Sequence, residues 1–130
     1  MVNYLQKGKV NMILAVVGSG GDRLESTLTR LGPEVVLTGR FWGTDERVRS
    51  WAMANGVTVI TLDPNFIKHG SRATTVRAQQ TAMVADEMLV SGVNATSLQA
   101  AHEMQNLGKM VWNEDDFLGA VRGSDDRDSV

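Results

Sequence analysis

The apolar positions of this chain fall alternately into short blocks and into helical spacing. "MILAVV" (Met12 to Val17) is a compact apolar run that ends on "GSGGD". A run of that length predicts a strand buried on both faces, then a tight turn. Leu24, Leu28 and Leu31 follow at i, i+4 and i+7, one face of a helix closed by Gly32-Pro33. "EVVLTG" predicts a second strand, and Val48, Trp51, Ala52 and Asn55 mark a second helix ended by Gly56. "VTVITL" is the third strand. From Ser71 to Ala85, helical spacing recurs at Ala73, Val76, Gln80, Met83 and Val84. "DEMLVSG" then predicts a fourth strand. Leu98, Ala101, Met104 and Leu107 form a last helical face that stops at Gly108, before the fifth strand "KMVW". "EDDFLGAV" adds a final turn of helix.

Such alternation is the pattern of a parallel sheet with helices on both faces. The fold expected is α/β: a three-layer Rossmann-like domain with a mostly parallel sheet of about five strands. It spans residues 12–121, after a flexible arm at 1–11 and before a disordered polar tail at 122–130.

Composition narrows the chemistry. With 13 basic and 15 acidic residues the net charge is -2, so a nucleic-acid partner is not expected and any anion site must be local. There is no cysteine, which excludes disulfides, thiolate metal sites and a cysteine nucleophile. His102-Glu103 has no second histidine at zinc-binding spacing, so neither a metal nor a cofactor is expected. No apolar run reaches transmembrane length, and "MVNYLQKGKVN" lacks a signal-peptide core. A cytoplasmic protein is the expectation.

In a parallel α/β sheet, ligands bind beyond the carboxyl ends of the strands. Gly18, Ser19 and Gly20 form a glycine-rich turn before a helix, suited either to a tight connection or to an anion. In "TGRFWGTD", Gly39 and Gly43 bracket Arg40, Phe41 and Trp42, a cation beside a stacking surface, and Thr44 or Asp45 can cap the next helix. In "SGVNATSLQ", Gly92, Asn94 and Thr96 put small hydrogen-bonding groups at a helix start, for capping or for a phosphate or ribose. A fourth feature is electrostatic. Lys68, His69, Arg72 and Arg77 cluster where a helix begins, although positive charge there opposes the macrodipole by about 0.3–1 kcal/mol. A bound anion offsets that cost and solvent screening also reduces it, so the cluster is either a solvated helix start or a face on which at least one of the four meets an anion.

Taken together, "VVLTGRFWGTDERVRSWAMANGVTVITL", "HGSRATTVRAQQTAMVAD" and "NATSLQAAHEMQNLGKMVW" resemble the YspA/YpsA-like branch of the SLOG superfamily. These are small Rossmann-like domains related to the Lonely Guy phosphoribohydrolases and to the DNA-processing protein DprA. The resemblance covers Met12 to Trp112 and rests on three features. A G-x-R-G-x-D-like loop is seen as Gly39, Gly43 and Asp45; a G-x-x-A-x-x-x-R helix start as Gly70, Ala73 and Arg77; and an "AD" pair as Ala85-Asp86. It implies a nucleotide-derived small molecule as ligand, Arg77 aimed at its phosphate, and self-association as a homodimer or higher oligomer, for which Trp51, Met53 and Trp112 are candidate contacts. The chain departs from the Lonely Guy motif P-G-G-x-G-T-x-x-E: aligned on Thr96, it has Val93 and Ala95 for two glycines and Gln99 for the glutamate. Ala78 also stands where relatives often have asparagine. A neutral amide cannot replace a carboxylate in acid–base chemistry. Three readings follow. The first is a sensor or sequestering protein that binds the nucleotide. The second is a hydrolase, which would need another carboxylate, Asp45 first, with Asp63 and Asp86 behind it. The third is a non-catalytic interaction module, for which the kinship to DprA implies single-stranded DNA, against the net charge.

Overall fold

The computed structural model of the chain describes residues 12–39 and 43–114. The expected arm and tail, all of "EDDFLGAV" after Glu114, and Arg40, Phe41 and Trp42 lie outside the described residues. Five strands alternate with helices: β1 (Ile13–Val17), α1 (Leu24–Leu31), β2 (Val35–Thr38), α2 (Gly43–Asn55) and β3 (Thr58–Thr61) form the first half. The second half holds α3 (Phe66–His69), a 3-10 turn at Gly70–Arg72, α4 (Ala73–Val84), β4 (Glu87–Val90), α5 (Ala95–Asn106) and β5 (Met110–Asn113). The sheet order is β3-β2-β1-β4-β5 and every pairing is parallel. The protein is therefore a three-layer α/β domain of Rossmann-like architecture. Its strand order reverses between β1 and β4, which opens a crevice there. Among the described residues no helix is long and apolar enough to cross a membrane.

β1 shows why the apolar runs lack alternation. Leu14 and Val16 point to one face, where Leu24, Leu28, Val48 and Trp51 cover them. Ala15 points to the other, against Ala78, Ala82, Ala100 and Met104. Burying a side chain such as Leu14 or Leu28 contributes about 1.5–3 kcal/mol.

The α4–α5 layer departs from the spacing expected of it. Met83, Val84, Leu98 and Leu107 are exposed, while Ala73, Ala78, Thr81 and Ala82 of α4 and Ser97, Ala100, Ala101 and Met104 of α5 are buried. Small residues carry this face because they let two helices pack closely on the sheet and on each other. Lys109 closes the layer from below, its Nζ donating to the carbonyls of Ala82 and Ala85 at 2.7 Å each. Those carbonyls end α4 and have no partner within the helix.

Trp51 is only 9% exposed and its indole N–H donates to Thr29 Oγ1 at 3.1 Å. It belongs to the core and is not a surface for self-association. Trp112 is half-buried and bonds Glu87 Oε1 at 2.9 Å; of the three candidates only Met53 is well exposed.

Candidate functional site

The crevice lies above the carboxyl ends of β1 and β2, between α4 and α5. Two connected lobes share Asp45, Thr74, Arg77 and Thr96. The inner lobe is floored by Val17, Gly18, Ala78 and Ala100; the outer is walled by Gly39, Asp63, Pro64 and Phe66. Their cavity volumes are about 30 and 200 Å³ and each opens to solvent, so a small molecule would sit partly exposed, chiefly in the outer lobe.

Arg77 dominates its electrostatics. It leaves α4 half-buried, and its Nε donates to the carbonyl of Leu62 at 2.8 Å, just past β3. That bond fixes the guanidinium while both terminal amino groups make no hydrogen bond among the described residues. Asp45 stands beside it in the first turn of α2, 5% exposed, where a carboxylate complements the helix dipole. Its Oδ1 accepts from Thr38 Oγ1 at 2.6 Å and from the Gly39 amide at 3.2 Å. Asp45 thus braces the β2–α2 turn and lines the crevice at once.

Gly39 makes this juxtaposition feasible. A Cβ there would sit 2.9 Å from Arg77 Nη2 and 3.1 Å from Asp45 Oδ2, both ends of side chains. Gly39→Ala should therefore push the guanidinium aside instead of unfolding the chain. Its expected signature is a weakened ligand titration with a melting temperature shifted by no more than roughly 3 °C.

The basic cluster separates on folding. Arg77 alone of the four lines the crevice; Lys68 and Arg72 are exposed and His69 is partly covered on α3. Gly70 has φ +57 and links α3 to the 3-10 turn, a structural task. At the start of α5, Asn94 Oδ1 accepts the Ser97 amide and Ser97 Oγ accepts the Asn94 amide, both at 2.8 Å. Asn94 is a helix cap that also borders the inner lobe beside Thr96. Gly43 is exposed, and a Cβ there would meet none of the described residues within 4 Å. Thr44 is buried, its hydroxyl without a hydrogen-bond partner among the described residues and directed at Gly20.

The glycine-rich turn is differently employed. The amides of Ser19 and Gly20 donate to the carbonyls of Gly92 and Ser91, at 3.3 and 2.7 Å, so they already have acceptors. Gly18, at φ +119, and Gly92, at φ +84, let the turns after β1 and β4 touch. The start of α1 is met by Glu114, whose Oε2 accepts the Arg23 amide at 3.1 Å. Arg47 completes the brace, donating to the Gly21 carbonyl at 2.9 Å and to both oxygens of Glu25. This pairing holds the Glu25 carboxyl below its ordinary pKa.

Two of the alternative carboxylates part company. Asp63 lines the outer lobe, whereas Asp86 Oδ2 accepts the Ile13 amide at 2.8 Å, at the amino ends of the strands. Asp86 is thus on the wrong side of the sheet for chemistry in the crevice. Gln99, at the aligned glutamate position, donates to Thr75 Oγ1 at 2.9 Å and ties α5 to α4. Thr74 and Phe66 were not singled out from the sequence. Thr74 was within reach of it, since it precedes Arg77 by one helical turn and so shares its face.

No protein-family model matches the chain, and no match was found among curated proteins.

Proposed function

We propose that the protein binds a nucleotide or nucleotide-derived small molecule in this crevice, as a cytoplasmic sensor or sequestering protein. The observation that carries the reading is Arg77: a half-buried guanidinium, anchored through Nε, whose terminal donors have no acceptor among the described residues and line the crevice. Such a fork matches the oxygens of a phosphoryl group. Asp45, Thr74 and Thr96 surround it with groups suited to sugar hydroxyls, and the exposed ring of Phe66 offers an apolar wall for a base. The resemblance to SLOG domains supports the same class of ligand.

A second reading, hydrolysis of an N-glycosidic or phosphate bond, is favoured by one feature, the Asp45 carboxylate beside Arg77. Binding ranks first because Asp45 Oδ1 is held by Thr38 and Gly39, and Gln99 supplies no carboxylate. Calorimetric titration with nucleoside monophosphates, followed by chromatography of the mixture, separates the two. Saturable binding with the nucleotide recovered intact is expected. Free base or ribose phosphate formed in excess over protein would establish the hydrolase instead.

A further inference from the structure

We propose that Glu114 is a specificity-determining residue: a resident carboxylate that fills the anion position at the start of α1 and closes the glycine-rich turn to phosphate. Three observations converge. The side chain is 7% exposed, and its two oxygens accept from the Arg23 amide at 3.1 Å and from Ser91 Oγ at 2.5 Å. Gly21 is shaped to admit it, because a Cβ there would lie 2.3 Å from Oε2. The amides of Ser19 and Gly20, two further donors of this turn, are held by the carbonyls of Gly92 and Ser91.

A glycine permitting close approach, a helix start and exposed turn amides are what a pyrophosphate needs at the first turn of such a fold. Here the chain's own groups take up the close approach at Gly21, the helix start at Arg23 and two of the turn amides. A ligand's anion is directed to Arg77, on the far side of the β1–β4 switch point. This favours ligands with one anionic group at that arginine over dinucleotides seated by a pyrophosphate. Only the choice of ligand rests on the function proposed above; the role of the carboxylate does not.

The test uses inorganic phosphate and two chains that both lack the crevice cation, Arg77→Ala and Arg77→Ala/Glu114→Ala. Thermal unfolding is followed as phosphate replaces chloride at constant ionic strength. The double variant should melt lower in chloride and recover saturably by about 5 °C as phosphate enters the vacated position. Its parent should show no saturable rise. A third chain, Arg77→Ala/Glu114→Gln, keeps the position filled by an amide and should also show no recovery. A double variant indifferent to phosphate, or unfolded equally with and without it, would overturn the proposal. Because Arg77 is absent throughout, the result is independent of nucleotide binding. If nucleoside monophosphates fail to bind the wild-type chain while phosphate rescues the double variant, the function proposed above fails alone.

Discussion

Arg77→Ala should lower affinity for the proposed phosphate-bearing ligand about 100-fold and leave the fold intact. A hydrogen bond to a charged group contributes about 1.5–3 kcal/mol, and a factor of 100 corresponds to about 2.7 kcal/mol. The fold should survive because the side chain is half-buried and makes one hydrogen bond among the described residues, to the Leu62 carbonyl, whose loss costs about 1 kcal/mol. Arg77→Lys keeps the charge but not the planar fork, so its affinity should fall between the two. Calorimetric titration and thermal unfolding together check both halves. Equal affinity in the alanine variant and the wild type would remove Arg77 from the binding site.

Gly18→Ala should be the most damaging single substitution to stability among the crevice residues. Its φ of +119 is one that L side chains rarely adopt, and a Cβ would lie 2.2 and 2.3 Å from the carbonyl oxygens of Ser91 and Gly92. Backbone cannot swing away as the tip of an arginine can. The same carbonyls accept the Ser19 and Gly20 amides, so relief of the clash breaks the seam between the two turns. Strain and overpacking together should cost about 3 kcal/mol, lowering the melting temperature by roughly 10 °C. Gly56→Ala is the control: its φ is +67 but nothing lies within 4 Å, so about 1 kcal/mol is expected. Similar losses for the two would show that the turns after β1 and β4 do not need their close approach.

How legible this molecule was in its sequence depended on the range of the interaction. Strand positions were readable because a strand covered on both faces is a continuous apolar block, as Met12 to Val17 shows, and the alternating pattern implied the parallel sheet. Helix positions were readable, but the buried faces of α4 and α5 were not. Spacing drew attention to large residues such as Met83 and Leu98, while close packing selected Ala78, Ala82 and Ala100. Arg77 shared the local charge at a helix start and was set apart by the G-x-x-A-x-x-x-R resemblance; it lines the crevice. Its neighbours Lys68 and Arg72 had the same local signal, yet the intervening α3 and 3-10 turn leave them exposed. Glu114 carried no local signal at all. Its partner Arg23 lies 91 positions away, and only the pairing of β5 beside β4 brings the carboxylate to the start of α1. The same holds for Asp86, which the sequence offered as a site carboxylate and the fold assigns to the Ile13 amide.

The most direct test of the central claim is mass spectrometry of small molecules released by denaturing the protein after incubation with nucleotides and cell extract. The account predicts an intact nucleotide derivative, stoichiometric with the wild-type chain and absent from Arg77→Ala. Equal recovery from both chains, or none from either, would contradict it.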